Sequence, residues 1–265
     1  MDLAKLRTAY ENAGYTRFLA SARVCQDVIL SKIANAGFGD HVTIKGGVLI
    51  CAVSGNKRRA TRDIDLDFIR YPLTDEGIER FVGRLAMVDD GVDLRITRKE
   101  RLRQQDYHGV RVFLDVFDAK LLMQAKMDIG VHAAADIEQS AVVFDLFNNA
   151  ESVSLLANTL EQSFAEKAGS PVKHGIRWTR YKDVFDMYYL GHRDDFDVSA
   201  LRRCLTALVA DNSAVPANTL EEIAELIAAT LSSQTMRERI VGSKQAWVDV
   251  STDDACDWLC EYLVL

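Results

Sequence analysis

The 265-residue sequence predicts an α+β chain, a small mixed sheet flanked by helices and followed by a helical C-terminal domain. Three observations carry that expectation. Segments with the two-residue period of strands fall within the first 150 residues. Helix-period segments with recognisable caps precede and interleave them. From about residue 150 the strand signals cease, so the chain is expected to divide into an α+β domain over 1–150 and a helical domain over 151–265.

The elements follow in order. Val24, Val28, Leu30 and Ile33 recur at near-helical spacing, and Gly37 and Gly39 mark the stop. His41-Val42-Thr43-Ile44 reads as a short strand, followed by Lys45-Gly46-Gly47 and an apolar helical turn. After a basic loop from Ser54 to Arg62, the stretch Asp63-Ile64-Asp65-Leu66-Asp67-Phe68-Ile69 alternates strictly. That pattern is a strand with carboxylates on one face and aliphatics on the other. Thr74 suits the cap of a helix whose acidic first turn, Asp75-Glu76, complements the dipole. Strand-like stretches follow at 92–97, 110–117 and 125–129, and helices are expected at 154–168, 179–190, 200–210, 220–231 and 253–263.

Composition removes several classes. Hydrophobic residues make up 48% and charged residues 27%, which supports a packed core and argues against disorder. The longest apolar run, Val48 to Val53, is far short of a bilayer span. Met1-Asp2-Leu3-Ala4-Lys5 opens a polar segment unlike a secretory signal, and five cysteines without paired spacing fit a reduced, cytoplasmic chain. Cys256 and Cys260 read as one face of a helix. The five histidines, His41, His108, His132, His174 and His192, have no metal-ligand spacing.

Asp63, Asp65 and Asp67 concentrate negative charge on one strand face, where aspartate is disfavoured unless a cation offsets it. A solvated edge strand is the plain alternative. An EF-hand loop is excluded, because Phe68 stands where the loop needs Gly and Thr74 where it needs Glu. Oxygen-only ligands favour Mg²⁺ or Mn²⁺, and paired carboxylates on a rigid strand suit phosphoryl or nucleotidyl transfer. Gly46-Gly47, between a strand and a helix, would let backbone N–H groups approach a triphosphate. Neither a P-loop nor a Rossmann glycine pattern is present.

Lys45-Gly46-Gly47 followed by Arg59-Ala60-Thr61-Arg62-Asp63-Ile64-Asp65-Leu66-Asp67-Phe68 resembles the signature of AbiEii/MenT-type nucleotidyltransferase toxins, of the polymerase-β-like nucleotidyltransferase superfamily. Later segments match as well: Lys126-Met127-Asp128-Ile129-Gly130, Phe164-Ala165-Glu166-Lys167, and Arg180-Tyr181-Lys182-Asp183-Val184-Phe185-Asp186, with Phe185 where Tyr is usual. The resemblance covers about residues 40–190 and implies a polymerase-β-like core. One departure concerns the phosphate turn. Gly47 and Val48 stand where relatives carry Ser or Thr, so phosphate binding is expected to rest on backbone N–H groups, Lys45 and nearby basic residues.

The resemblance implies the following roles. Asp63 and Asp65 would hold Mg²⁺ or Mn²⁺, with Asp128 as third carboxylate and Asp115 as its competitor. Asp67 is expected beside the site or in solvent. Lys167 and Asp183 would be catalytic, contributed by the helical domain, and Asp186 structural. Lys45, Gly46, Gly47, Arg59, Arg62 and Arg180 would bind the NTP. Lys57, Arg58, Lys173 and Arg177 are weaker candidates for RNA, with Trp178 either stacking on a base or in the core. The expected activity is NTP-dependent transfer to RNA, at the tRNA 3′ end, by a toxin restrained by a cognate antitoxin. A protein or small-molecule acceptor, or a non-catalytic nucleotide-binding module, are the alternatives.

The net charge of −7 does not oppose an RNA partner, because it is uneven. Residues 183–265 hold 6 basic and 15 acidic groups, whereas residues 1–182 hold 26 and 24.

Overall fold

The computed structural model describes residues 1–102, 109–132 and 137–264. The chain separates into two compact units, Met1–Asn158 and Thr159–Leu265.

The first unit begins with α1 (Leu3–Asn12) and α2 (Arg17–Asn35), whose N-cap side chains Asp2 and Thr16 accept from first-turn N–H groups. Strand β1 (Val42–Lys45) runs directly into α3 (Gly46–Ser54), and β2 (Ile64–Phe68) holds the alternating aspartates. Helix α4 (Asp75–Ala86) is capped by Thr74, whose hydroxyl accepts from Gly77 N–H at 3.0 Å, as the sequence suggested. Five more elements complete the unit: β3 (Asp93–Leu102), β4 (Gly109–Phe117), β5 (Leu122–Val131), β6 (Ser140–Leu146) and β7 (Glu151–Ala157). Among the described residues these form a seven-stranded mixed sheet in the order β3-β4-β5-β2-β1-β7-β6.

One sheet face is apolar. Ile64, Leu66 and Phe68 of β2 join Met127 and Ile129 of β5 and Val112, Leu114 and Val116 of β4 in a core with Val24, Val28 and Leu30 of α2 and Ile78, Phe81 and Leu85 of α4. Each such fully buried side chain contributes about 1.5–3 kcal/mol of burial free energy. Phe38, Phe68, Tyr71 and Phe81 meet edge to face within it. The alternation of β2 turns its aspartates to the opposite face.

Two sequence expectations fail here. Strand signals do not cease at 150, because β7 runs to Ala157 and the helix expected from 154 begins at Leu160. Leu155, Leu156 and Leu160 mimic a helical spacing, but Leu155 and Ala157 point inward with strand alternation. Sheet partners decided this segment: β7 pairs with β6 and, through Ala157, with Ile44 of β1. Strand β6 itself was missed.

The second unit is helical throughout: α5 (Leu160–His174), α6 (Lys182–Gly191), α7 (Val198–Leu205), α8 (Leu220–Leu231), α9 (Gln234–Ser243) and α10 (Thr252–Tyr262). Helix α9 was not expected, since only Met236 and Ile240 are buried and the remaining residues are mostly polar, with Val241 exposed. Among the described residues no helix is long and apolar enough to cross a membrane.

Candidate active site

Strand registers extend the carboxylate face of β2 sideways. Lys45 of β1 pairs with Asp65, Asp65 with Asp128 of β5, Asp128 with Arg111 of β4, and Arg111 with Glu100 of β3. Paired residues point to the same side of a sheet, so these five charged side chains form one row. Asp65 and Asp128 are adjacent at its centre, and facing carboxylates repel unless offset. Arg111 offsets one of them, donating from Nε and Nη2 to both Asp128 oxygens at 2.8 and 2.7 Å. Those hydrogen bonds raise the pKa of the guanidinium above its ordinary value.

Neighbouring rows repeat the pairing. Lys126 Nζ lies 2.8 Å from Asp63, and Lys45 Nζ lies 2.7 Å from Asp67. Asp67 is therefore not a solvated residue: it is buried and holds Lys45. Asp115 stands opposite Arg95 and Gln124, away from Asp65, so the register puts Asp128 and not Asp115 beside Asp65.

The Lys45-Gly46-Gly47 turn meets this row. Gly46 opens α3 with φ +64°, and a Cβ there would stand 2.4 Å from Asp65 Oδ2. Both conformation and contact therefore require glycine. The turn sets the N-terminus of α3, a natural anion site, against a carboxylate. A phosphate at that helix end would bring two anions together, an arrangement that needs a cation between them. The oxygen donors of Asp63 and Asp65 suit Mg²⁺ or Mn²⁺, so these residues fit a divalent ion. Among the described residues no three His, Cys, Asp or Glu side chains gather as a ready-made cage. Asp128, expected as a third ligand, stands beside Asp65 with both of its oxygens accepting from Arg111.

A hydroxyl does stand at the turn, although residues 47 and 48 supply none. A Cβ on Gly47 would lie 2.7 Å from both the Cβ and the hydroxyl of Thr61. Thr61 thus fills the space that a side chain at 47 would occupy, which the separation of 14 positions hides in the sequence. The expected basic contacts divide. Arg59 is buried, Arg58 is exposed, Arg62 is exposed with its guanidinium 4.6 Å over the Phe18 ring, and Lys57 donates to the Ala13 carbonyl at 2.6 Å.

In the second unit, buried Lys167 places Nζ 2.8 Å from Asp183 and 2.7 Å from Asp186. Asp183 also meets Arg180 Nε at 2.9 Å, and Asp186 accepts from the buried Trp247 indole at 2.9 Å. Asp186 is thus a full member of the lysine's cage, and its Trp247 contact gave no motif signal. Trp178 is 1% exposed and belongs to the core, which removes it as a base-stacking platform; Arg177 is exposed and Lys173 half-buried. His108 lies outside the described residues.

Comparison with known proteins agrees with this architecture. The fold matches two crystal structures from Helicobacter pylori, each at 12% identity: a nucleotidyltransferase candidate (TM-score 0.53, 94% of both chains covered) and JHP933 (TM-score 0.52, 94% of this chain and 91% of that one). At that identity the likeness is one of fold alone. No curated protein matches the chain. The family profile described as "Nucleotidyl transferase AbiEii toxin, Type IV TA system" matches residues 28–253 and bears out the resemblance read from the motifs. The chain belongs to the AbiEii family of nucleotidyltransferase toxins.

Proposed function

We propose that this nucleotidyltransferase moves a nucleotide from an NTP to a hydroxyl of RNA, at the 3′ end of tRNA, in a reaction that depends on a divalent cation. Family membership already brings an NTP substrate and an antitoxin partner. The observation that carries the finer reading is the approach of the α3 N-terminus to Asp65 within the charged row. Backbone N–H groups at Gly46 and Gly47 bind phosphate oxygens there, with Lys45 behind them. Asp63 and Asp65 would hold Mg²⁺, which when bound neutralises charge on the phosphates. Arg111 fixes the orientation of Asp128 beside Asp65, where it would position the incoming hydroxyl. That oxygen gives up its proton to water and bonds to the α-phosphorus, the bond from the α-phosphorus to the bridging oxygen breaks, and pyrophosphate leaves. Nucleotides added to the tRNA 3′ end would block aminoacylation and halt translation.

The test is incubation of the purified protein with Mg²⁺, each labelled NTP in turn, and total tRNA, beside an EDTA control. Label is expected on tRNA with at least one NTP and is expected to vanish with EDTA. Label on protein instead would move the acceptor, and transfer unaffected by EDTA would overturn the metal dependence.

A further inference from the structure

Strand β3 is an edge strand, and its outer residues break the usual alternation. Arg95 pairs with Asp115 and so faces the charged side of the sheet. Arg98, three residues on, would point to the opposite face in a regular strand. A register shift between Ile96 and Arg98 prevents that: Ile96 pairs with Leu114 and Arg98 with Phe113. The bulge returns Arg98 to the charged face, a re-aiming often found beside active sites.

What Arg98 joins there is a second row. Arg98 pairs with Phe113 of β4, Phe113 pairs with Lys126 of β5, and Lys126 is ion-paired to Asp63. The Arg98 guanidinium lies 4.0 Å over the Phe113 ring with its side chain 60% exposed. Beside it, Arg95 lies 5.6 Å over Phe117 and is 63% exposed. Two exposed arginines stacked on phenylalanines therefore lead across β3, β4 and β5 to Asp63, a span of about 14 Å at ~4.8 Å per strand. Their nearest acids are Glu100, 3.2 Å from Arg98, and Asp115 at Arg95.

Direction decides the occupant. In the sheet order β1 lies on one side of β2 and β5, β4 and β3 on the other. The phosphate turn of Lys45 to Gly47 approaches Asp65 from the β1 side, so the nucleotide's phosphates take that side. We infer that the Arg95–Arg98–Phe113–Lys126 surface is the track for the acceptor, a single-stranded RNA 3′ end. Exposed guanidinium planes on aromatic rings offer both phosphate contacts and stacking faces for bases, the combination that single-stranded nucleic acid uses. The inference rests on the RNA-acceptor reading above.

The test compares wild-type protein with Arg98→Ala, Arg98→Lys and Arg98→Glu. Three readouts are needed: anisotropy binding of a fluorescent single-stranded RNA with a free 3′ hydroxyl at two salt concentrations, KM for tRNA, and KM for the NTP. Arg98→Ala is expected to weaken RNA binding by about 10-fold or more and to raise the tRNA KM in proportion, leaving the NTP KM unchanged. Arg98→Lys keeps the charge without the planar stack and should fall between wild type and Ala. Arg98→Glu should be the weakest binder, with a shallower salt dependence than wild type because a cationic phosphate contact is lost. Wild-type transfer to tRNA with unchanged RNA affinity in all three variants would overturn the track and leave the RNA reading standing. A change in NTP KM alone would reassign the surface to the nucleotide. Absence of label on any RNA with wild-type protein would sink the acceptor reading and the track with it.

Discussion

On the sheet face of the first unit, Asp63 and Asp128 are held by Lys126 and Arg111, cations whose side chains each remain 30% exposed. In the second unit, Lys167, Asp183 and Asp186 form a comparable charged group, yet none exceeds 5% side-chain exposure. The two clusters use the same chemistry under different solvation. A half-exposed cation exchanges its carboxylate for a substrate phosphate at little cost, because water solvates whichever group is left over. A buried pair has no such alternative, and removing one partner strands the other in a low-dielectric interior. The Lys126–Asp63 and Arg111–Asp128 pairs are therefore open to exchange, whereas the knot of the second unit is fixed.

That contrast revises a simple expectation. From motifs alone, Lys167→Ala should abolish transfer and leave the fold intact. Burial between two carboxylates makes it a stability mutation too, with an expected cost of about 3–5 kcal/mol in urea denaturation. Adding Asp186→Asn should recover part of that cost, and a Lys167→Ala variant as stable as wild type would break the comparison.

Another buried carboxylate, Asp27, gives the next effect. Asp27 accepts from the Tyr10 hydroxyl and from Phe147 N–H, and lies 3.4 Å from Arg23 Nε. Burial pushes its pKa up to about 6, against the lowering influence of Arg23 and the two hydrogen bonds. The sign follows from linkage. Between the unfolded value of about 3.9 and the folded value, the native state holds the extra proton, so stability falls as pH rises through that window. Relative to wild type, Asp27→Asn should therefore gain roughly 2–3 kcal/mol between pH 4 and pH 7. A pH-independent difference would show that Asp27 is ionised throughout.

The smallest stability effect is expected at the Lys45-Gly46-Gly47 turn. Gly46→Ala forces a left-handed φ on alanine, about 1–2 kcal/mol, and drives its Cβ into Asp65. Its loss of transfer should exceed what its thermal shift explains, and a fully active variant would detach the turn from the carboxylate.

Legibility in the sequence tracked how local each signal was. The Asp63–Phe68 alternation, the Thr74 cap and the Lys45-Gly46-Gly47 turn are written in consecutive residues, and the structure has them as read. Arg111 left no motif, and Lys126 stood in a matching segment without a role, because both acquire meaning only when β4 and β5 are placed in register with β2. Arg98 was hidden more deeply, since the bulge at Ile96 reverses the face that alternation assigns to it. Thr61 and Trp247 act through tertiary approach to Gly47 and Asp186, for which single-chain periodicity has no signature. Segment 151–157 misled for the converse reason: its leucines carry a plausible helical pattern that sheet pairing overrides.

The most direct measurement is the transfer rate of Asp65→Asn beside its thermal stability. The side chain is near-isosteric and sits where the helix end and the row of charges converge. Transfer to tRNA is expected to fall by about 100-fold or more, as when a group stabilising transition-state charge is removed, with the melting temperature unchanged or raised. An Asp65→Asn protein that folds normally and still transfers at the wild-type rate would contradict the account.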